Sequence, residues 1–356
     1  MGFSLPQEII DCILSKLPAK SLARFCCVAK PWRDFIQRPR PNKVVVLLNR
    51  TPPKSLALFT LQGENLVPEL IELENDFVYS YDANIIGVCN GLILIGISPK
   101  TYILWNPFIQ KYRQIHCPDW NYLYCLCGFV YDPAAHEHKI VHVCYHENGV
   151  RTTGVLRLER TGTTWKEIKT SFPYGFPSSS SGVVINGAPH WVVGNHLSRE
   201  RSKKIIWFDV AEEKFKEVPK PELECCYCDF DVAALNGSLC ITAYRRDQEK
   251  KVELWVMKDC GVEESWTKLA VIPIKCKYFL PLSMVKDGDL LAEIDKSEVV
   301  VYDLKKETFK HITFSGPMGK IRNRPSFLPI SSSRVPQECK VATFVESLVN
   351  PAIIGN

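Results

Sequence analysis

Ile85-Ile86-Gly87-Val88-Cys89-Asn90-Gly91-Leu92-Ile93-Leu94-Ile95 is the stretch whose reading decides the fold. Two apolar runs flank an Asn-Gly pair, which supplies the positive φ angles of a two-residue hairpin turn. The arrangement recurs at Asn186-Gly187, Asn236-Gly237 and Asp287-Gly288, again between apolar runs (182–185 and 189–193, 232–235 and 239–242, 282–285 and 290–293). Beyond the hairpins a second signature returns: an aromatic, a polar residue, any residue, an aliphatic. It reads Tyr112-Arg113-Gln114-Ile115, Trp165-Lys166-Glu167-Ile168, Phe215-Lys216-Glu217-Val218, Trp266-Thr267-Lys268-Leu269 and Phe309-Lys310-His311-Ile312, at intervals of 43–53 residues. A period near 50 with four short strands per unit predicts β-propeller blades.

The count is about six: five clear blades and a degenerate one over 44–73, which holds only Leu70-Ile71-Glu72-Leu73 at the fourth-strand position. The unit at 127–168 lacks Asn-Gly and turns at Asp132-Pro133. A lone blade cannot cover both its faces; stacking does so, and closing the ring protects the end strands. Residues 340–348 are the candidate closing strand.

Ahead of the β pattern the rhythm is helical. Ile9, Ile10, Ile13, Leu14 and Leu17 follow i, i+3, i+4 spacing. Pro6 suits a first helical turn, and Pro18 forces Leu17 out of the α region. A second helix is predicted over 19–28 with Leu22, Phe25, Cys26 and Val28 apolar, and a third from Pro31 through Trp32. Gln37-Arg38-Pro39-Arg40-Pro41-Asn42-Lys43 is the natural boundary, since two prolines in three residues cannot continue a helix. The predicted organisation is a helical module over 1–43 and a mainly β propeller-like domain over 44–350.

The front order L-P-x-E-I-I-x-x-I-L-x-x-L-P-x-K-S-L-x-R-F-x-x-V-x-K-x-W-R resembles the F-box, the module that docks on the Skp-type adaptor of cullin-based ubiquitin ligases. Pro31 stands where that family usually carries a small polar residue. Carried onto this chain, the resemblance implies adaptor contact through Leu5, Pro6, Ile9, Ile10, Leu14, Leu17, Pro18, Leu22, Phe25, Val28 and Trp32. Gly87-Val88-Cys89-Asn90-Gly91-Leu92, the Leu104-Trp105-Asn106-Pro107 step, Gly128-Phe129-Val130-Tyr131-Asp132 and Phe344-Val345-Glu346-Ser347-Leu348 resemble the F-box-associated domain of plant F-box proteins. The paired glycines of kelch blades are absent from the sequence. The two resemblances imply a non-catalytic substrate-recognition subunit of an SCF-type ubiquitin ligase. Its partners would be a Skp-type adaptor, through it a cullin and a RING subunit, and a protein substrate. Two alternatives stand beside this: a non-degradative F-box scaffold, or a small-molecule sensor using the propeller channel.

Charge agrees with protein partners. Residues 1–43 hold eight basic and three acidic residues, which accounts for the whole net charge of +5. The remainder is neutral, a poor footprint for nucleic acid, and a basic front suits an acidic protein partner. No apolar run reaches the ~18 residues of a membrane-crossing helix. The first residues lack the regions of a signal peptide. Fifteen scattered cysteines without a secretory signal point to reduced thiols and a cytoplasmic or nuclear setting.

Chemistry-bearing residues are few. His136, His138, His142, Cys144 and His146 offer metal-ligand types, with His142, Cys144 and His146 on one strand face. Their spacing matches no zinc motif, and the expectation is strand and turn histidines without a metal or other cofactor. Cys225, Cys226 and Cys228, with Cys125 and Cys127 elsewhere, lack the βαβ setting of a redox pair. No phosphate loop, nucleophile elbow or carboxylate pair supports catalysis. The functional candidate is a surface. The loops between blades and those joining second and third strands share one rim, and carry Trp120, Tyr122, Tyr174, Phe176, Arg199, Arg201, Tyr227, Arg245, Arg246, Tyr278 and Phe279. Aromatics and arginines dominate binding hot spots; the alternative is that they fold inward and seal the blade ends.

Overall fold

The computed structural model describes residues 84–311 apart from short breaks (99, 108, 118–123, 147–149, 161, 170–171, 176–180, 195–202, 224–228, 246–250, 275, 286–287 and 296–297). It also describes the backbones of 43–48, 55–62, 65–69 and 339–344 and, at the front, residues 9–10, 13–14, 25 and 28–32. At the front, residues 9–10, 13–14, 25 and 30–32 are helical.

The chain after the front is β. The first blade takes β1 (Lys43–Leu48), β2 (Ser55–Gln62) and β3 (Asn65–Glu69). The second is β4 (Asn84–Cys89), β5 (Leu92–Ser98), β6 (Thr101–Asn106) and β7 (Lys111–His116). The third is β8 (Tyr124–Asp132), β9 (Glu137–Tyr145), β10 (Arg151–Leu158) and β11 (Thr163–Ile168). The fourth is β12 (Val183–Ile185), β13 (Ala188–Gly194), β14 (Lys203–Asp209) and β15 (Lys214–Val218). The fifth is β16 (Asp229–Leu235), β17 (Ser238–Tyr244), β18 (Val252–Met257) and β19 (Trp266–Ile272). The sixth is β20 (Phe279–Met284), β21 (Leu290–Ile294), β22 (Glu298–Asp303) and β23 (Thr308–His311). The last strand, β24 (Cys339–Phe344), returns to the first blade and pairs antiparallel with β1.

Six four-stranded sheets result. β4, β8, β12, β16, β20 and β24 each approach the first strand of the next sheet, so these six line the axis and the ring closes. The blade anticipated as degenerate is complete: its innermost strand comes from the far end of the chain. Its outermost strand is 65–69, ahead of the Leu70–Leu73 segment expected there, which lies outside the described residues. The aromatic-led quartets fall on the outermost strands β7, β11, β15, β19 and β23, the last through its first three residues, 309–311.

The turns follow their chemistry. Asn90, Asn186 and Asn236 have φ of 49–51°, each followed by a glycine at positive φ, and Gly288 stands at 85°. A second device caps other turns. Asp209 Oδ1 accepts from the amides of Ala211 and Glu212, and Asp303 Oδ1 from those of Lys305 and Lys306. At the Asp132-Pro133 turn Asp132 takes Ala134 and Ala135, and His136 adopts φ 54°. These are Asx turns, in which the side chain replaces a backbone acceptor.

Middle strands are buried on both faces because a neighbouring blade covers each. Along β5, Leu92, Ile93, Leu94 and Ile95 are at most 2% exposed, and β9 is buried from His138 to Tyr145. Alternate residues of one strand serve different interfaces. Ile140 belongs to the core between blades two and three, while Val141, Val143 and Tyr145 pack with Trp191 and Phe208 toward blade four.

Candidate functional site

Rim contacts bear out the loop geometry. The Cys117 amide donates to Lys100 O at 2.8 Å, and the Gly175 amide to Gly194 O at 2.9 Å. Asp295 Oδ1 accepts from the amides of Lys277 (2.7 Å) and Tyr278 (3.0 Å). Each bond ties an inter-blade loop to the connection between second and third strands or to the end of the second strand.

Of the described members of the rim set, Tyr174, Arg245 and Tyr278 are engaged within the propeller. Tyr174 Oη donates to Glu217 Oε1 at 3.1 Å, and its ring meets Phe172 edge-on. Burial, then the Glu217 carboxylate, pushes its phenol up to about 12. Arg245 Nη1 lies 3.6 Å from Glu253, a carboxylate in a residue only 3% exposed that also receives the Trp255 indole N–H at 3.2 Å. Tyr278 is half-buried, with its phenol raised by burial and by Glu293 and Asp231. Phe279 is fully buried core, a correction to its placement on the surface. It follows Tyr278 into β20, and strand alternation turns it into the blade. Trp120, Tyr122, Phe176, Arg199, Arg201, Tyr227 and Arg246 lie outside the described residues.

At the front, Ile9 and Val28 are 47% and 59% exposed, as is Ile13 at 47%. Leu14 is buried, Ile10 is half-buried, and Phe25 packs edge-on against Trp32 with ring centroids 5.5 Å apart. Exposed β-branched residues beside a buried leucine make an apolar face. Leu5, Pro6, Leu17, Pro18 and Leu22 lie outside the described residues.

The histidine cluster divides. His136 is exposed, with Nδ1 bonded to Tyr131 Oη at 3.2 Å. His138 stacks on Phe129, and burial holds its imidazole down to about 4. His146 Nε2 pairs with Thr152 Oγ1. His142 and Cys144 instead meet Cys125 and Cys127 of the neighbouring strand, with Cys125 Sγ 3.3 Å from His142 Nδ1. The hydrogen bond with Cys125, then the charge of His142, pulls the Cys127 thiol well below the ordinary range. The same two neighbours bring Cys144 to about 6. Sequence spacing hid this group because its halves sit on two strands and meet only through hairpin register. The signal was C-x-C followed by H-x-C. Cys225, Cys226 and Cys228 lie outside the described residues.

Comparison with known proteins follows the same two-part layout. Residues 3–44 match the F-box domain model, and residues 55–351 match the F-box associated beta propeller domain. An F-box/kelch-repeat protein of Arabidopsis thaliana is 27% identical, covering 91% of this chain and 94% of that one. Two further Arabidopsis thaliana relatives are an F-box protein 26% identical over 88% of each chain and the F-box protein CPR1, 24% identical over 85% of this chain and 83% of its own. Among solved structures, apo AztD from Citrobacter koseri superposes with a TM-score of 0.44 at 8% identity, over 85% of this chain and 98% of that one. The family match spans most of the sequence, and the chain belongs to the plant-type F-box proteins that carry an F-box-associated β-propeller domain.

Proposed function

We propose that this F-box adaptor is the substrate-recognition subunit of an SCF-type ubiquitin ligase. The observation that carries the reading is an F-box joined to a closed six-bladed ring on one chain. The F-box face holds a Skp-type adaptor, and through it a cullin and a RING subunit. It uses Leu5, Pro6, Ile9, Ile10, Leu14, Leu17, Pro18, Leu22, Phe25, Val28 and Trp32. The rim of the ring holds a protein substrate. With Tyr174, Arg245 and Tyr278 engaged within the propeller, recognition falls chiefly to the segments 118–123, 176–180, 195–202, 224–228 and 246–250. These carry Trp120, Tyr122, Phe176, Arg199, Arg201, Tyr227 and Arg246. The chain performs no bond chemistry. Tethering raises the effective concentration of substrate lysines at the transferring enzyme and makes their attack quasi-intramolecular. The setting is cytoplasmic or nuclear.

The test is co-purification with a Skp-type adaptor. Wild type is expected to give a stoichiometric complex, and Leu5→Ala/Pro6→Ala and a chain starting at Lys43 are expected to lose it. A soluble wild-type protein that binds no such adaptor overturns the reading. Adaptor binding with unchanged levels of every rim-bound protein supports the non-degradative scaffold instead.

A further inference from the structure

The inner hairpin of the third blade carries a ladder of metal-ligand side chains. Cys125 and Cys127 stand two apart on β8, and His142 and Cys144 two apart on β9. Register sets Cys125 opposite Cys144 and Cys127 opposite His142. Residues two apart on a strand share a face, so all four project to one side, toward blade two.

Three of the four ligand atoms converge, and Cys144 joins them through Cys125. Cys125 Sγ is 3.3 Å from His142 Nδ1, 3.4 Å from Cys144 Sγ and 3.6 Å from Cys127 Sγ. Cys127 Sγ is 3.7 Å from His142 Nδ1. A tetrahedral zinc with Zn–S near 2.3 Å and Zn–N near 2.05 Å requires ligand separations of about 3.8 Å for sulfur pairs and about 3.5 Å for sulfur and nitrogen. These four of the six edges lie within a few tenths of an ångström of the required lengths; the ligand atoms of Cys125, Cys127 and His142 are all within 4.8 Å of one another, and Cys144, which meets the group through Cys125, turns inward to complete it. A disulfide requires sulfurs at about 2.05 Å, so none is formed in this group.

The surroundings are those of a metal site. Tyr102 Oη, from blade two, lies 3.3 Å from Cys127 Sγ and supplies the outer hydrogen bond that a thiolate ligand uses. The Trp165 ring stands edge-on to His142 with centroids 5.9 Å apart. Cys127, His142 and Cys144 are buried and Cys125 is half-buried, so the group is largely shielded from water. By contrast Cys240 is buried in the hydrophobic core of blades five and six and, among the described residues, belongs to no such metal-ligand group.

We propose that Cys125, Cys127, His142 and Cys144 form a structural Zn²⁺ site. As the ion binds, every proton still on the three sulfurs and the proton of the His142 imidazolium pass to solvent, so that three thiolates and a neutral imidazole, through Nδ1, hold it, and no electron is transferred. Three thiolates and one imidazole close the coordination sphere, the pattern of a structural rather than a catalytic zinc. The site lies at the start of β8, so the ion fixes the inner hairpin of the third blade where it enters the ring.

The experiment uses the full chain purified under reducing conditions. Metal analysis is expected to find about one zinc per chain. Removing the ion and adding Co²⁺ is expected to give the visible bands and sulfur-to-metal charge transfer of a tetrahedral thiolate site. Cys125→Ser/Cys127→Ser is expected to lose both signals, and Cys240→Ser to keep them. Cys125→Ser alone changes one atom at the least buried of the four positions, so it tests the ligand if the double variant does not fold. A folded wild-type chain that carries no zinc and gives no Co²⁺ thiolate bands overturns the proposal. So does a Cys125–Cys144 disulfide in protein isolated without reductant.

Discussion

The interface between blades two and three and the interface between blades five and six share a backbone plan and differ in what fills them. Between five and six, Val252, Leu254, Phe279, Leu290 and Val300 make an aliphatic and aromatic wall. Between two and three, aliphatics such as Leu94, Leu104 and Ile140 surround Cys127, and His138 and His142 are buried on the same face. Both walls are close-packed, so chemistry can be grafted onto one blade face without altering strand order or closure. The difference is in kind: one wall is held by area removed from water, the other exchanges part of that area for polarisable and ionisable groups.

The largest expected effect breaks the aliphatic wall. Phe279→Ala removes a fully buried ring and is expected to cost about 3–5 kcal/mol in urea unfolding. Cys127→Ala, in metal-free protein, is expected to cost well under half as much, since a thiol fills less space. Equal losses would erase the contrast.

Next comes the glycine under the tryptophan. A Cβ on Gly154 would stand 2.1 Å from Trp165 Cζ2 and 2.7 Å from Lys166 O. Gly154→Ala is expected to cost about 1–3 kcal/mol and to lift the indole from His142, visible as a shift in tryptophan fluorescence. An unchanged spectrum and stability would show that the ring has room to move.

A third test uses pH. The His138 imidazole is held at about 4 against an ordinary value of 6.5. The unfolded chain therefore takes up a proton where the folded chain does not. Stability present above the unfolded value is lost as pH falls from 6.5 toward 4. His138→Phe is expected to remove about 2 kcal/mol of the loss between about pH 7 and about pH 5. His190 in blade four, likewise held at about 4 by burial, leaves a remaining slope. A variant with the wild-type slope would place the titration elsewhere.

The smallest effect sharpens the polar wall. Tyr102→Phe keeps the ring and deletes the hydroxyl beside Cys127, at an expected cost of about 0.5–1.5 kcal/mol. If stability is unchanged, the hydroxyl contributes no net hydrogen bond in the folded state.

Much of the ring could be read before any coordinates. Asn-Gly fixes a hairpin locally, and an aromatic-led quartet marks an outer strand by its own pattern, so both signals survive reading residue by residue. The first blade looked degenerate because its inner strand lies at the other end of the chain, beyond the reach of local reading. The internal partners of two rim residues were hidden for a related reason. Tyr174 and Arg245 have the composition of a binding surface, but their partners Glu217 and Glu253 belong to other strands. Only packing reveals that they are already occupied. The Cys125, Cys127, His142 and Cys144 group was split between two separate readings, because pairing across the β8–β9 hairpin was needed to join them.

Closure by β24 has a consequence for synthesis. β1 is made early, yet the strand that covers its inner edge appears only after almost the whole propeller. At ~5–20 residues per second, that edge waits tens of seconds on the ribosome. During this interval its unpaired amides and carbonyls are open to strands from other chains. A message truncated before residue 339 would leave that edge open permanently, so premature termination is expected to yield aggregates rather than a shorter working receptor.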